Sequence, residues 1–221
     1  MPLSVKQPIT NFLNYIYCHV IPVLEVVLLL RLSVPASAFP AEQQADSQPN
    51  SPDAASAKPS SDYGAKGQKY WYLQGAGATT LDLKAAFPRR FGLAGVGLSK
   101  FVFEAHSINL ELNTIYFNQP SDDALGLNLA LLMRWHLVRQ SNWTAFVDGG
   151  AGVMGTTSNV PSRGANFNFT PQAGAGFSLK LNEQKRLMLG LRWHHISHAY
   201  LFGDNPGRDS IMGYVGLQLP R

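Results

Sequence analysis

From residue 124 to residue 137 every second side chain is apolar. Leu125, Leu127, Leu129, Leu131, Met133 and Trp135 form one set, and Asn128, Arg134 and His136 fall in the other. A two-residue period is that of a β-strand, whose successive side chains point to opposite faces. The pattern recurs from 166 to 181, where Phe167, Phe169, Ala173, Ala175, Phe177, Leu179 and Leu181 oppose Asn168, Thr170, Gln172, Ser178 and Lys180. Apolar sets of this length, with aromatics toward their ends, suit a wall that faces lipid between two interfacial girdles. A soluble barrel would turn the same set inward, and period alone does not separate the two. Strand length favours the membrane, since a spanning strand needs about 9–11 residues. Charge agrees: charged residues make up 14% of the chain, against about 25% in soluble domains. The body of the chain nevertheless offers no helical span of ~20 apolar residues.

Turn residues divide the chain after Lys69 into eight strand-like segments: 70–78, 91–103, 107–117, 124–137, 143–156, 166–181, 186–197 and 209–219. The expected fold is therefore all-β, an eight-stranded antiparallel transmembrane β-barrel over residues 69–221. Links after the second, fourth and sixth segments are short (104–106, 138–142, 182–185). Those after the odd-numbered segments are mostly longer, such as 157–165 and 198–208. Outer-membrane barrels have short periplasmic turns and longer outer loops, so the seventh segment is expected to climb to the cell surface and the eighth to descend from it.

The N-terminus reads as an export signal over residues 1–38, with Lys6 before an apolar run from Val20 to Leu32 and a small-residue cleavage site at Ala36-Ser37-Ala38. An uncleaved anchor is the alternative. Cys18 is the single cysteine, so cleavage after Ala38 would leave neither disulfides nor thiolate chemistry. Residues 39–68, rich in Ala, Ser, Pro, Gln and Asp, read as a disordered linker. The net charge of +4 comes from scattered basic residues, so no nucleic-acid partner is expected.

At the end of the seventh segment His195 and Ser197 form an i, i+2 pair, which on a strand shares one face. Asp209 opens the next segment, within reach across a hairpin. Leu187, Leu189, Leu191 and Trp193 lie on the same side as His195 and Ser197. Ile211, Gly213, Val215, Leu217 and Leu219 lie on the side of Asp209. The cluster is thus expected on the lipid-facing wall at the outer rim, where ionisable groups are costly unless used. Serine needs a base to take its proton, histidine supplies one, and a carboxylate fixes the tautomer and steadies the imidazolium. The intervening loop, with Asn205 and Gly207 in Asn205-Pro206-Gly207, offers amide or backbone N–H groups to an oxyanion. Such a set cleaves an acyl ester without a cofactor. A membrane lipid is what it would meet, and in the outer leaflet of a Gram-negative envelope that is mainly lipopolysaccharide.

These residues, from His195-Ile196-Ser197 through Asn-Pro-Gly to an acid twelve positions after the serine, resemble the PagL-type lipid A 3-O-deacylases. The resemblance implies an eight-stranded outer-membrane barrel that hydrolyses the ester at the 3-position of lipid A and releases a hydroxy fatty acid. It implies His195 as base, Ser197 as nucleophile, Asp209 as acid and Asn205 as oxyanion support. The sequence departs from the family pattern at His198, where Asn usually follows the serine, and at Asp209, where Glu is frequent. It also ends in Leu-Pro-Arg instead of a terminal aromatic.

Three rivals bear on these readings. His194, His195 and His198 invite a metal, but His194 is expected to point away from His195, so no metal is assigned. Glu111, Asp148, Arg134 and Arg192 fall on the inner face and read as a salt-bridged filling. A non-catalytic surface barrel and a soluble lipid-binding barrel remain the alternatives to an esterase. Whether two copies pair as a homodimer is left open.

Overall fold

The computed structural model describes residues 63–81 and 89–221. The expected signal at 1–38 and most of the linker at 39–68 lie outside the described residues. Nine strands follow one another: β1 (Lys69–Thr80), β2 (Arg90–Phe103), β3 (His106–Asn118), β4 (Ala124–Arg139), β5 (Trp143–Val160), β6 (Ala165–Phe169), β7 (Gln172–Lys180), β8 (Arg186–Ile196) and β9 (Arg208–Pro220). Every neighbouring pair is antiparallel, and β1 pairs with β9 to close the ring. Strands β6 and β7 both pair with β5 and together make one stave, so the barrel has eight. This is the expected architecture, a ring of staves closed by the β1–β9 pair.

The expected continuous sixth segment is interrupted at Thr170-Pro171. Pro171 has no N–H to give to a ladder. Thr170 keeps the stave in register by exchanging two backbone hydrogen bonds with Gly152, at 2.8 and 3.1 Å. Its hydroxyl turns inward and accepts a hydrogen bond from Asn128 Nδ2 at 2.7 Å. The stave therefore bends without breaking.

The faces fall as the alternation predicts. Leu125, Leu127, Leu129, Leu131 and Met133 are exposed on the outer wall of β4, while Asn128, Arg134 and His136 are buried inside. A soluble lipid-binding barrel would show the reverse. Inside, the middle of the barrel is filled by ion pairs. Arg192 donates to both oxygens of Glu111 at 3.0 Å and to Asp148 at 2.9 Å, and Arg134 donates to Asp148 at 2.8 Å. Tyr72 and Gln74 donate further hydrogen bonds to Glu111. The two cations and two carboxylates balance, and each is hydrogen-bonded, which is what makes charge tolerable in a dry interior. Toward the long-loop end the filling turns apolar, with Phe91, Ile115, Phe117, Met154, Ile196 and Met212 packed together.

At the short-turn end, residues 104–105, 140–142 and 181–185 connect the strands. Tyr63 plugs this end from below: its hydroxyl donates to Gln218 at 2.8 Å, and the Arg186 guanidinium lies 3.9 Å from its ring centre. At the other end the connections include 119–123 and the long 197–207.

Candidate active site

The last rungs of the β8–β9 ladder set the site. His195 pairs directly with Asp209, and Ile196 with Arg208. Because strand neighbours alternate, His195 and Asp209 share the outward face while Ile196 and Arg208 turn inward. The cross-strand pair brings His195 Nδ1 to 2.8 Å from Asp209 Oδ1. With the Nδ1 proton donated to the carboxylate, Nε2 is left as the basic nitrogen. Trp193, two residues earlier on the same face, donates its indole N–H to the same Asp209 oxygen at 2.9 Å. Its ring lies 5.7 Å from that of His195. The carboxylate is thus held by two donors although about half of its side chain is exposed.

Ser197 follows the end of β8, at a position that strand parity would turn outward. There it leaves β9 and bonds instead to the bent sixth stave: Phe169 N–H donates to the Ser197 carbonyl at 2.7 Å, and Ser197 N–H donates to the Phe169 carbonyl at 3.1 Å. His195 N–H donates to the Pro171 carbonyl at 3.0 Å. The interruption at Thr170-Pro171 therefore frames the site from its second side. Alternation alone does not reveal this flank, although Pro171 in mid-segment was the available signal.

The loop 197–207 covers what the strands expose. His195 is only 7% accessible although it shares the outward face with Asp209, and Ser197 is 2% accessible. Gly207 lies along the imidazole edge: a Cβ there would stand 3.0 Å from His195 Cε1 and 3.3 Å from Nε2. Any larger residue would press on the edge of the imidazole. Asn205 Oδ1 accepts the His198 N–H at 3.2 Å, which leaves the amide nitrogen of Asn205 as its donor group. His198, at the position where the resemblance leads one to expect Asn, is itself buried. Its Nε2 donates to the Asp204 carbonyl at 3.0 Å, and its ring packs 5.6 Å from that of Phe202. Ala199 and Tyr200 turn the chain with φ of 52° and 62°, a left-handed region in which side chains are disfavoured. Beyond this turn Tyr200, Leu201 and Phe202 stand exposed.

The three histidines do not converge. His194 faces the interior, buried 5.2 Å from the Phe91 ring and across the wall from His195. The expected inner quartet of Glu111, Asp148, Arg134 and Arg192 is the salt-bridged filling described above. What the arrangement offers chemically is an outward imidazole oriented by a carboxylate, a neighbouring hydroxyl, and amide donors on a covering loop.

The sequence matches the lipid A 3-O-deacylase (PagL) family over residues 59–218. No curated protein matches it. Among solved structures, that of Neisserial surface protein A aligns with a TM-score of 0.53 at 12% identity, covering 69% of this chain and 97% of that one. The structure of the outer membrane enzyme PagL aligns with a TM-score of 0.51 at 17% identity, covering 68% of this chain and 99% of that one. At these identities the two likenesses speak to the barrel fold.

Proposed function

The chain belongs to the PagL family of lipid A 3-O-deacylases, outer-membrane ester hydrolases, and on that premise we propose that His195, Ser197 and Asp209 are its catalytic triad. The observation that carries the proposal is the 2.8 Å pair between His195 and Asp209 on the outward face, with Ser197 following the end of β8. We propose further that the long-loop end lies in the outer leaflet, that residues 1–38 are the export signal, and that the stretch from 39 up to the Tyr63 plug is a linker.

The reaction proceeds in two halves. His195 Nε2 takes the Ser197 hydroxyl proton as Oγ attacks the carbonyl carbon of the 3-O ester. Asp209 stabilises the imidazolium that forms. The tetrahedral oxyanion is met by the Asn205 side-chain amide and the Gly207 backbone N–H, donors that strengthen as charge develops. The imidazolium then returns its proton to the sugar oxygen, which leaves as the 3-hydroxyl of the deacylated lipid. Water, deprotonated by His195, attacks the acyl-serine and frees the hydroxy fatty acid. Because the site lies on the outside of the wall, the acyl chain can remain among its neighbours throughout.

The full chain folded into detergent, incubated with lipid A beside Ser197→Ala, tests this directly. Mass spectrometry should show loss of one ester-linked hydroxyacyl chain with the parent, and a rate about 10⁴-fold lower or less with the variant. Equal rates would remove Ser197 as nucleophile.

A further inference from the structure

Arg208 stands between Gly207 and Asp209, yet its side chain leaves the site. It turns into the barrel mouth, where it is 3% accessible and lies 5.8 Å from the centre of the Phe117 ring. No carboxylate pairs with it among the described residues, and the charge that bears on it, Arg89, has the same sign. Nε and Nη1 make no hydrogen bond. Among the described residues its polar contact is Nη2 donating to Gln119 Oε1 at 2.8 Å, across the mouth in the β3–β4 connection.

A buried cation is among the least favourable groups a fold can carry unless it is held by partners. Gln119 shows how this one is held. Gln119 is 7% accessible, and its amide nitrogen donates to the carbonyls of Asp122 at 3.0 Å and Asn159 at 2.8 Å. Its backbone N–H donates to the Asp123 carboxylate at 3.3 Å. These bonds fix the amide so that its oxygen faces Arg208. A continuous connection thus runs from β9 through Gln119 to β5 on the opposite wall.

The rung that this connection pins is Ile196–Arg208. On one side of it is the His195–Asp209 rung. On the other the two strands part, Ser197 toward Phe169 and Gly207 into the covering loop. The last rung before a ladder opens is the one most prone to fray, and here it separates the base and acid from the nucleophile and the oxyanion donor.

We propose that Arg208 and Gln119 form a positioning strut, fixing the Ile196–Arg208 rung from inside the barrel so that Gly207 and Asp209 keep their places against His195 outside it. The proposal rests on the triad assigned above. Neither residue touches the substrate, so losing the strut should misplace the reacting groups while leaving lipid binding intact.

The test measures hydrolysis of lipid A by the full chain in detergent, for barrels shown to be folded by heat-modifiable migration. Arg208→Met keeps an apolar stem beneath Phe117, and Gln119→Leu breaks the strut from the far side. Each should lower kcat by about 10- to 100-fold, the scale of a small misplacement, with KM unchanged. The double variant should lose no more than the worse single, because both remove one connection. Parental kcat in either folded single variant, or losses that multiply in the double variant, would overturn the strut. Ser197→Ala is run alongside. If it is inactive while Arg208→Met is unimpaired, the strut alone fails. If it is active, the underlying triad fails.

Discussion

At the scale of single residues, Asp209 carries a divided load. It accepts from His195 and from Trp193 through one oxygen while half of its side chain remains exposed. In the proposed triad its worth lies in fixing which imidazole nitrogen is protonated. Asp209→Asn can still bond Nδ1 but as a neutral partner free to favour the wrong tautomer, and it should lower kcat by about 10²- to 10⁴-fold with little change in KM. Asp209→Glu should fall between the two, because an extra methylene must be accommodated where the pair already sits at 2.8 Å. A steady-state comparison of the three proteins decides it, and an undiminished Asn variant would remove Asp209 from the triad. The shared outward side of His195 and Asp209 could be read from residue parity, as could the inward side of His194. The burial of His195 beneath Gly207 could not, because it depends on a loop whose path no periodicity encodes.

At the scale of elements, the β8–β9 connection is the working part. Its covering position depends on His198, which ties the loop back through Asp204 and Phe202 and bonds its backbone to Asn205. His198→Ala removes the ring packing and one buried hydrogen bond, shifting the loop toward open states by ~1–3 kcal/mol. Faster amide hydrogen exchange over residues 198–207, with strands β8 and β9 unchanged, is the expected outcome. Unaltered exchange would mean that the loop is held by other contacts. Strand identity was well encoded, since the long apolar sets on β4 and on the sixth stave leave little choice of face. Ends were less so. β5 runs on to Val160, past the last clear alternation, because the polar residues Thr156–Asn159 near the rim need not meet lipid on either face. The interruption before β7 was signalled by Pro171, but its use, handing a carbonyl to His195, is a tertiary fact.

At the scale of the whole molecule, the interior is occupied from end to end. Tyr63 stops the short-turn end, the Arg134–Asp148–Arg192–Glu111 network fills the middle, and an apolar cluster lies above it. The inner charged set could be anticipated from sequence because its members share the inner parity. Arg208 shares it too, but nothing in the pattern set it apart from the others; what does is that, among the described residues, no carboxylate pairs with it. Tyr63 precedes the first strand in a stretch of small and polar residues, and its role as a plug depends on Gln218 and Arg186 at the far end of the chain.

The outward placement of His195 and Asp209 also fixes the geometry in which rates have to be counted. A site that opens sideways into a lipid layer meets its substrate by lateral encounter, in two dimensions. The quantity that sets its speed is the mole fraction of lipid A in the surface, not its concentration in the tube. Diluting lipid A with inert detergent at constant bulk amount should therefore slow turnover in proportion to the surface fraction. Enlarging the whole volume at fixed composition should leave it unchanged. A rate that followed bulk concentration instead would mean that the lipid leaves the layer before it is cut.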